Sequence, residues 1–147
     1  MLNSNIIGVI KAYDLEGNKL WETEINSDIS DGRLLFHKLQ QKNDKLIVGG
    51  WAVTSNYIDA IVVSINEENG ELIWKLTEDV FFEGDDVNGI HIYDNRDILI
   101  SGTTGPADAG GFERAYLMKI NDIPNSILDS KNNDIKSTPT LPALSSP

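Results

Sequence analysis

A short phrase occurs twice in this chain of 147 residues. "EGNKLWE" runs from Glu16 to Glu22 and "NGELIWK" runs from Asn69 to Lys75, and in each a glycine precedes a tryptophan by a few residues. Two further pairs of similar segments, "IVGG" with "LISG" and "DAIVVSIN" with "RAYLMKIN", are separated by nearly the same interval of about 52 to 55 positions. An internal repeat of this length predicts that one structural unit is built more than once.

Each repeat has the pattern of four short β-strands. In the second repeat the strands are "DAIVVSIN", "ELIWKL", "VNGIHIY" and "ILISGTT", and turn residues separate them. Asn69 and Gly70 form a typical hairpin pair, because both residue types tolerate a positive φ. No stretch of ten or more residues keeps the apolar spacing of a helix. The sequence therefore predicts an all-β fold, with units at 6–58 and 59–113 and the start of a third at 114–128.

One strand is apolar on both of its faces. Side chains alternate along a strand, so Ile61, Val63 and Ile65 share one face while Ala60 and Val62 share the other. A sheet with one face in water alternates polar and apolar residues more regularly. We therefore expect this strand to lie between two layers.

The chain resembles bacterial β-propeller repeat proteins over about residues 6 to 122. The resemblance is carried by "DAIVVSINEENGELIW", "EGDDVNGIHIYDNRDILISGTT" and "RAYLMKIND", and more loosely by "IKAYDLEGNKLW" and "KLIVGG". Quinoprotein-like propeller repeats are similar over the turn and the tryptophan. The resemblance implies two four-stranded antiparallel blades and the opening strand of a third, in an incomplete ring. The markers of the repeat would be Trp21, Gly50, Trp74 and Gly102.

Two blades are too few for a closed propeller, which usually has at least four. Blades bury their faces against their neighbours, so two alone leave apolar faces uncovered. Three arrangements stay open: a fragment of a larger propeller, which we favour, a ring completed by copies of the chain, and a free-standing two-sheet sandwich. The expected partners are other blades or copies of the chain itself.

The amino-acid composition disfavours several classes of binding partner and site. The chain has 12 Lys and Arg against 23 Asp and Glu, and its net charge of −11 disfavours nucleic acid and anionic membrane surfaces. The absence of cysteine excludes disulfides and cysteine-ligated zinc. The N-terminal residues lack a signal-peptide pattern, and no apolar run has the length of a membrane span. If the chain belongs to a longer secreted protein, we expect an extracellular or cell-envelope location.

The densest acidic segment is "FEGDDVNG". Glu83, Asp85 and Asp86 could offer oxygen ligands to Ca²⁺, but the spacing of an EF-hand is missing. An exposed turn before the third strand is therefore favoured over a calcium site. His37 and His91 occupy similar places in the two repeats, and ordinary strand residues are favoured over a metal site there as well.

Trp51 follows "VGG" and is expected to open a loop. It could stack on a sugar or on a protein partner, and packing between blades is favoured over both. Trp21 and Trp74 are expected in the core. The glycine-rich segment "GPADAGGF" has no phosphate-loop lysine, and no catalytic or cofactor-binding residue is predicted.

The function predicted from the sequence is that of a non-enzymatic propeller segment. It would act as a scaffold or as an interaction surface for a protein or carbohydrate ligand, within a larger bacterial surface or secreted protein. The alternative is a fragment of a quinoprotein-like or glycan-active propeller enzyme whose active site needs further blades. Residues 129–147 are rich in Ser, Thr and Pro and predict a disordered tail or a linker.

Overall fold

The computed structural model describes residues 7–27, 32–54, 57–80, 84–93, 97–105 and 114–121. The fold is all-β, as predicted, and no helix occurs in these ranges. The described strands are β1 (Ile7–Tyr13), β2 (Lys19–Asn26), β3 (Leu34–Lys42), β4 (Lys45–Val53), β5 (Ile58–Asn66), β6 (Leu72–Glu78), β7 (Gly84–Ile92), β8 (Asp97–Gly105) and β9 (Arg114–Asn121). The predicted tail at 129–147 lies outside the described residues.

The strands form antiparallel groups in chain order. β1 and β2 make a separate hairpin. The remaining strands belong to one sheet that consists of the four-stranded group β3–β4–β5–β6 and the three-stranded group β7–β8–β9. A single parallel pair, Ile58 with Gly84, joins the two groups. Among the described strands no sheet closes on itself.

This grouping differs from the units at 6–58 and 59–113 that the repeat suggested. β5 pairs with β4 and β6 pairs with β5, so both strands belong with β3 and β4, which precede them, rather than with β7 and β8. The pairing of β5 with β4 runs from Ile58 to Asn66, whereas a single residue pair connects β5 to β7. A repeating series of four strands has a definite period but can be divided at any of four points. The sequence pattern gives the period and leaves the point of division open.

Within the four-stranded group β3–β6, which we call the central group, strand β5 is buried on both faces. Every residue of β5 from 59 to 65 is buried. One apolar cluster lies between β5 and the first hairpin and contains Trp21, Ile25, Val48, Ala52, Ile61, Val63 and Ile65. A second lies between β5 and the last group and contains Ile47, Ala60, Val62, Val87, Ile98, Ile100 and Tyr116. The two faces of β5 thus divide as the sequence predicted, and the described strands stack in three layers.

Trp21 connects the first hairpin to the central group. It is 8% exposed, and its indole N–H donates a hydrogen bond of 2.8 Å to the carbonyl oxygen of Glu67. The ring lies over Gly70, where a Cβ would come within 2.7 Å of it, and the Thr23 hydroxyl donates to the Gly70 carbonyl. Gly70 also has a φ of +76°, which favours glycine. The two similar phrases of the sequence therefore meet, since the tryptophan of one packs on the glycine turn of the other.

β3 and β7 share a backbone irregularity. Each has one register shift against the strand that follows it, and in each case a glycine stands opposite. A Cβ at Gly50 would meet the carbonyl oxygen of Leu35 at 1.8 Å, and one at Gly102 would meet that of Asp86 at 2.2 Å. Both glycines are needed because a bulged backbone passes too close for any side chain.

Candidate functional site

Three aspartates meet at the junction of the two antiparallel groups. Asp59 is the second residue of β5, Asp79 directly follows β6, and Asp85 is the second residue of β7. The parallel pair between Ile58 and Gly84 brings the starts of β5 and β7 together. One carboxylate oxygen from each aspartate lies within 4.8 Å of those of the other two. We refer to Asp59, Asp79 and Asp85 as the acidic cluster.

Two members of the acidic cluster are buried. Asp85 is 0% and Asp59 is 7% exposed, whereas Asp79 is exposed to solvent. The backbone N–H of Val80 donates a hydrogen bond of 2.7 Å to Oδ2 of Asp85. Oδ1 of Asp85 and Oδ1 of Asp59 have no hydrogen-bond partner. A buried polar atom without a partner costs about 1–3 kcal/mol, and more when it is charged, so this arrangement needs a compensating interaction.

Two carboxyl groups at this junction, Asp59 of the acidic cluster and the nearby Glu78, are disfavoured in their ionised form. Burial raises the pKa of Asp59, the negative charges of Asp79 and Asp85 raise it further, and a hydrogen bond with Thr54 opposes them in part. Burial also raises the pKa of Glu78, with Asp59 and Asp79 adding to the effect. Each group would hold its charge more easily with a cation nearby.

A neutral oxygen adjoins the cluster from β8. Thr104 is the residue directly opposite Asp85 in the register of β7 and β8. Opposite residues of an antiparallel pair project from the same face with their Cβ atoms about 4.5–5.5 Å apart. Thr104 is 1% exposed, and its hydroxyl oxygen has no hydrogen-bond partner. A second buried polar group therefore stands unsatisfied beside Asp85.

The structure separates the residues that the sequence suggested as calcium ligands. Asp85 belongs to the acidic cluster, but Asp86 lies 2.7 Å from Nε2 of His37 on β3. Glu83 lies outside the described residues. The sequence suggested a turn at this segment, whereas β7 begins at Gly84, so Asp85 and Asp86 project to opposite faces of a strand.

Asp59 and Asp79 were not singled out by the sequence. Asp59 lies 20 positions before Asp79 and 26 before Asp85, and it is brought to them by strand pairing, which no local motif encodes. A usable signal was present at Asp59. It is a charged residue at the start of a strand that is otherwise apolar on both faces, and a buried charge is rare without a partner.

The two histidines have separate surroundings. His37 pairs with Asp86, and both side chains are about one third exposed. His91 makes an edge-on ring contact with Tyr93, with ring centroids 4.9 Å apart. Both histidines lie in strands, His37 in β3 and His91 in β7, and the interpretation against a metal site stays a prediction.

The remaining aromatic candidates lie in strands. Trp51 is part of β4, which extends to Val53, so the predicted loop at Trp51 is wrong; the residue is half-buried. Trp74 is half-buried and packs against the second apolar cluster. The Tyr116 hydroxyl donates a hydrogen bond of 3.0 Å to the carbonyl oxygen of Asp86, and burial raises its pKa.

Comparisons with known proteins give no relative. No protein-family model matches the chain, and no match was found among curated proteins or solved structures. Within the described residues, none of the elements is a helix of the length and apolarity needed to cross a membrane. A function for the chain therefore has to be proposed from its own residues.

Proposed function

We propose that the chain is a non-enzymatic segment of a β-propeller-type scaffold that presents a surface to a protein or carbohydrate ligand. The observation that carries the proposal is the central group β3–β6, which is covered on one face by the β1–β2 hairpin and on the other by β7–β9. Stacking of short antiparallel sheets face to face, in chain order, is the packing that successive propeller blades use.

The matching irregularities of β3–β4 and β7–β8 support the same proposal. In both hairpins a register shift stands opposite a glycine, Gly50 in one and Gly102 in the other. Two hairpins built alike, 52 positions apart, are what a duplicated blade would contain.

Among the described strands, the outer layers are smaller than the central group: the first hairpin contributes two and the last group three, against four in the centre. Their side chains include exposed apolar residues, namely Val9 at 44%, Leu20 at 63% and Leu117 at 68%. Repeat proteins bury such faces against the next unit. We propose that flanking blades, or copies of this chain, cover them.

Light scattering of the purified chain over a range of concentrations tests this proposal. We expect a mass that rises above the 16.3 kDa of the monomer as concentration increases. Leu117→Glu should weaken the association because it places a charge on the outer face of β9. Leu15→Glu is the matched control, since Leu15 is fully exposed in the turn between β1 and β2.

A stable, monodisperse monomer at all concentrations would contradict the need for further blades. An equal response to Leu117→Glu and Leu15→Glu would place the contact elsewhere than on β9. The enzymatic alternative stays a prediction, and no particular contact of the described residues favours it.

A further inference from the structure

We propose that Asp59, Asp79 and Asp85 bind a Ca²⁺ ion that joins the two antiparallel groups of the sheet. The site differs from the ligand set suggested by the sequence, because only Asp85 is common to both. It is also independent of the proposed scaffold function, since it depends on contacts within one chain.

The spacing of the carboxylates fits a single ion. Ca²⁺ binds oxygen at about 2.3–2.6 Å, so two ligands on opposite sides of the ion lie at most about 4.6–5.2 Å apart. The three carboxylate oxygens of the acidic cluster lie within 4.8 Å of one another. One ion can therefore contact Asp59, Asp79 and Asp85 without rearrangement of the backbone.

The unsatisfied oxygens supply independent support. Oδ1 of Asp59, Oδ1 of Asp85 and the hydroxyl oxygen of Thr104 all lack hydrogen-bond partners, and all three residues are more than nine-tenths buried. Thr104 comes from a different strand than any of the aspartates and stands opposite Asp85. Buried polar atoms are rarely left without partners, and a cation held by the acidic cluster would be a partner for the buried aspartates.

The type of ligand selects a hard cation. The cluster offers carboxylates and a neighbouring hydroxyl, which suit Ca²⁺ and Mg²⁺, whereas Zn²⁺ prefers histidine and cysteine. The histidines have other contacts, His37 with Asp86 and His91 with Tyr93. Ca²⁺ accepts irregular geometry more readily than Mg²⁺, which requires a near-ideal octahedron. Asp79 is exposed and provides the route by which the ion enters from solvent.

The ion would stabilise the weakest connection of the sheet. β5 and β7 share one residue pair, and the cluster takes one aspartate from each of these strands and a third from the end of β6. Without the ion, three negative charges oppose one another at this junction. With it, the same charges hold the strands together.

The test uses the purified chain after dialysis against a chelator. Calorimetric titration with CaCl₂ and thermal unfolding in chelator, in Ca²⁺ and in Mg²⁺ are measured for the wild type, Asp59→Asn and Asp85→Asn. Asp44→Asn is the matched control, because Asp44 lies exposed in the β3–β4 turn and loses the same charge. We expect Ca²⁺ to raise the melting temperature of the wild type and of the control. The affinity of both cluster variants should fall about tenfold or more, because each loses a charged ligand.

The chelated proteins separate a metal site from a purely structural role. Without the ion, Asp59→Asn should be at least as stable as the wild type, since it removes repulsion, and in Ca²⁺ the order should reverse. Variants that are destabilised equally in both conditions would overturn the proposal. So would a wild type that gives neither heat nor a shift in melting temperature at millimolar Ca²⁺, or one that binds Mg²⁺ more tightly than Ca²⁺.

Discussion

The contact between Trp21 and the β5–β6 turn predicts a large loss of stability when the tryptophan is truncated. Trp21 is 8% exposed and packs against Gly70. Truncation of a buried tryptophan to alanine costs about 3–5 kcal/mol, and we expect Trp21→Ala to fall in this range. Trp21→Phe keeps most of the apolar area but loses the N–H donor to Glu67, so it should lose the hydrogen-bond share of about 1 kcal/mol together with a smaller packing cost.

Urea unfolding followed by far-ultraviolet circular dichroism measures these losses, because fluorescence changes when a tryptophan is removed. Leu15→Ala is the control, since Leu15 lies in the turn between β1 and β2 and is fully exposed. It should change stability by less than about 0.5 kcal/mol. If Trp21→Ala costs less than about 1 kcal/mol, or no more than Leu15→Ala, the hairpin does not pack on the central group and the reasoning is refuted.

Further predictions concern the bulge of β7 and its contacts. Gly102→Ala should lower the free energy of unfolding by more than about 2 kcal/mol, because its Cβ would lie 2.2 Å from the Asp86 carbonyl oxygen and from the Tyr116 ring. Gly84→Ala is the control and should cost less, since its Cβ would meet its nearest atom at 3.2 Å. Equal losses in urea unfolding would contradict the close approach at Gly102. Burial raises the pKa of Tyr116 above the ordinary 10.0, so above pH 10 the unfolded chain loses this proton first and stability should fall with rising pH. Tyr116→Phe should make stability less dependent on pH between about 9 and 11, and it should cost about 1 kcal/mol at neutral pH because the hydrogen bond is lost. If the pH dependence of the free energy of unfolding is unchanged in this range, the result counts against a buried hydroxyl. A double-mutant cycle of His37→Ala and Asp86→Ala should give a coupling free energy below about 1 kcal/mol, because both side chains are partly exposed. A coupling free energy above about 2 kcal/mol would contradict this expectation.

Local patterns in the sequence predicted the all-β character of the chain and its glycine turns, although they misplaced the end of β4 and the start of β7. The alternation of Ile61, Val63 and Ile65 with Ala60 and Val62 predicted a strand between two layers, and the two apolar clusters contain these two sets separately. The glycine turns were also readable, since Gly17 and Gly70 both have a positive φ. These features depend on residues that are neighbours in the chain, which is why a single sequence contains them.

Features that depend on strand pairing were not predictable in the same way. The repeat gave no reason to group β5 with β4 rather than with β7. The start of β7 at Gly84 decides that Asp85 and Asp86 face opposite ways, and the sequence suggested a turn there. The acidic cluster requires both the pairing of β5 with β7 and the end of β6 beside them, so it became visible only in the folded chain.

The stacking of the three layers is tested most directly by amide hydrogen exchange measured strand by strand at several protein concentrations. The central strand β5 should exchange slowest at every concentration, because it is buried on both faces. Protection of β1 and β9 should be low in dilute solution and should rise as the chains associate. Protection in β1 and β9 that equals that of β5 in a dilute monomer would contradict the account, because the outer layers would then need no further sheet to cover them.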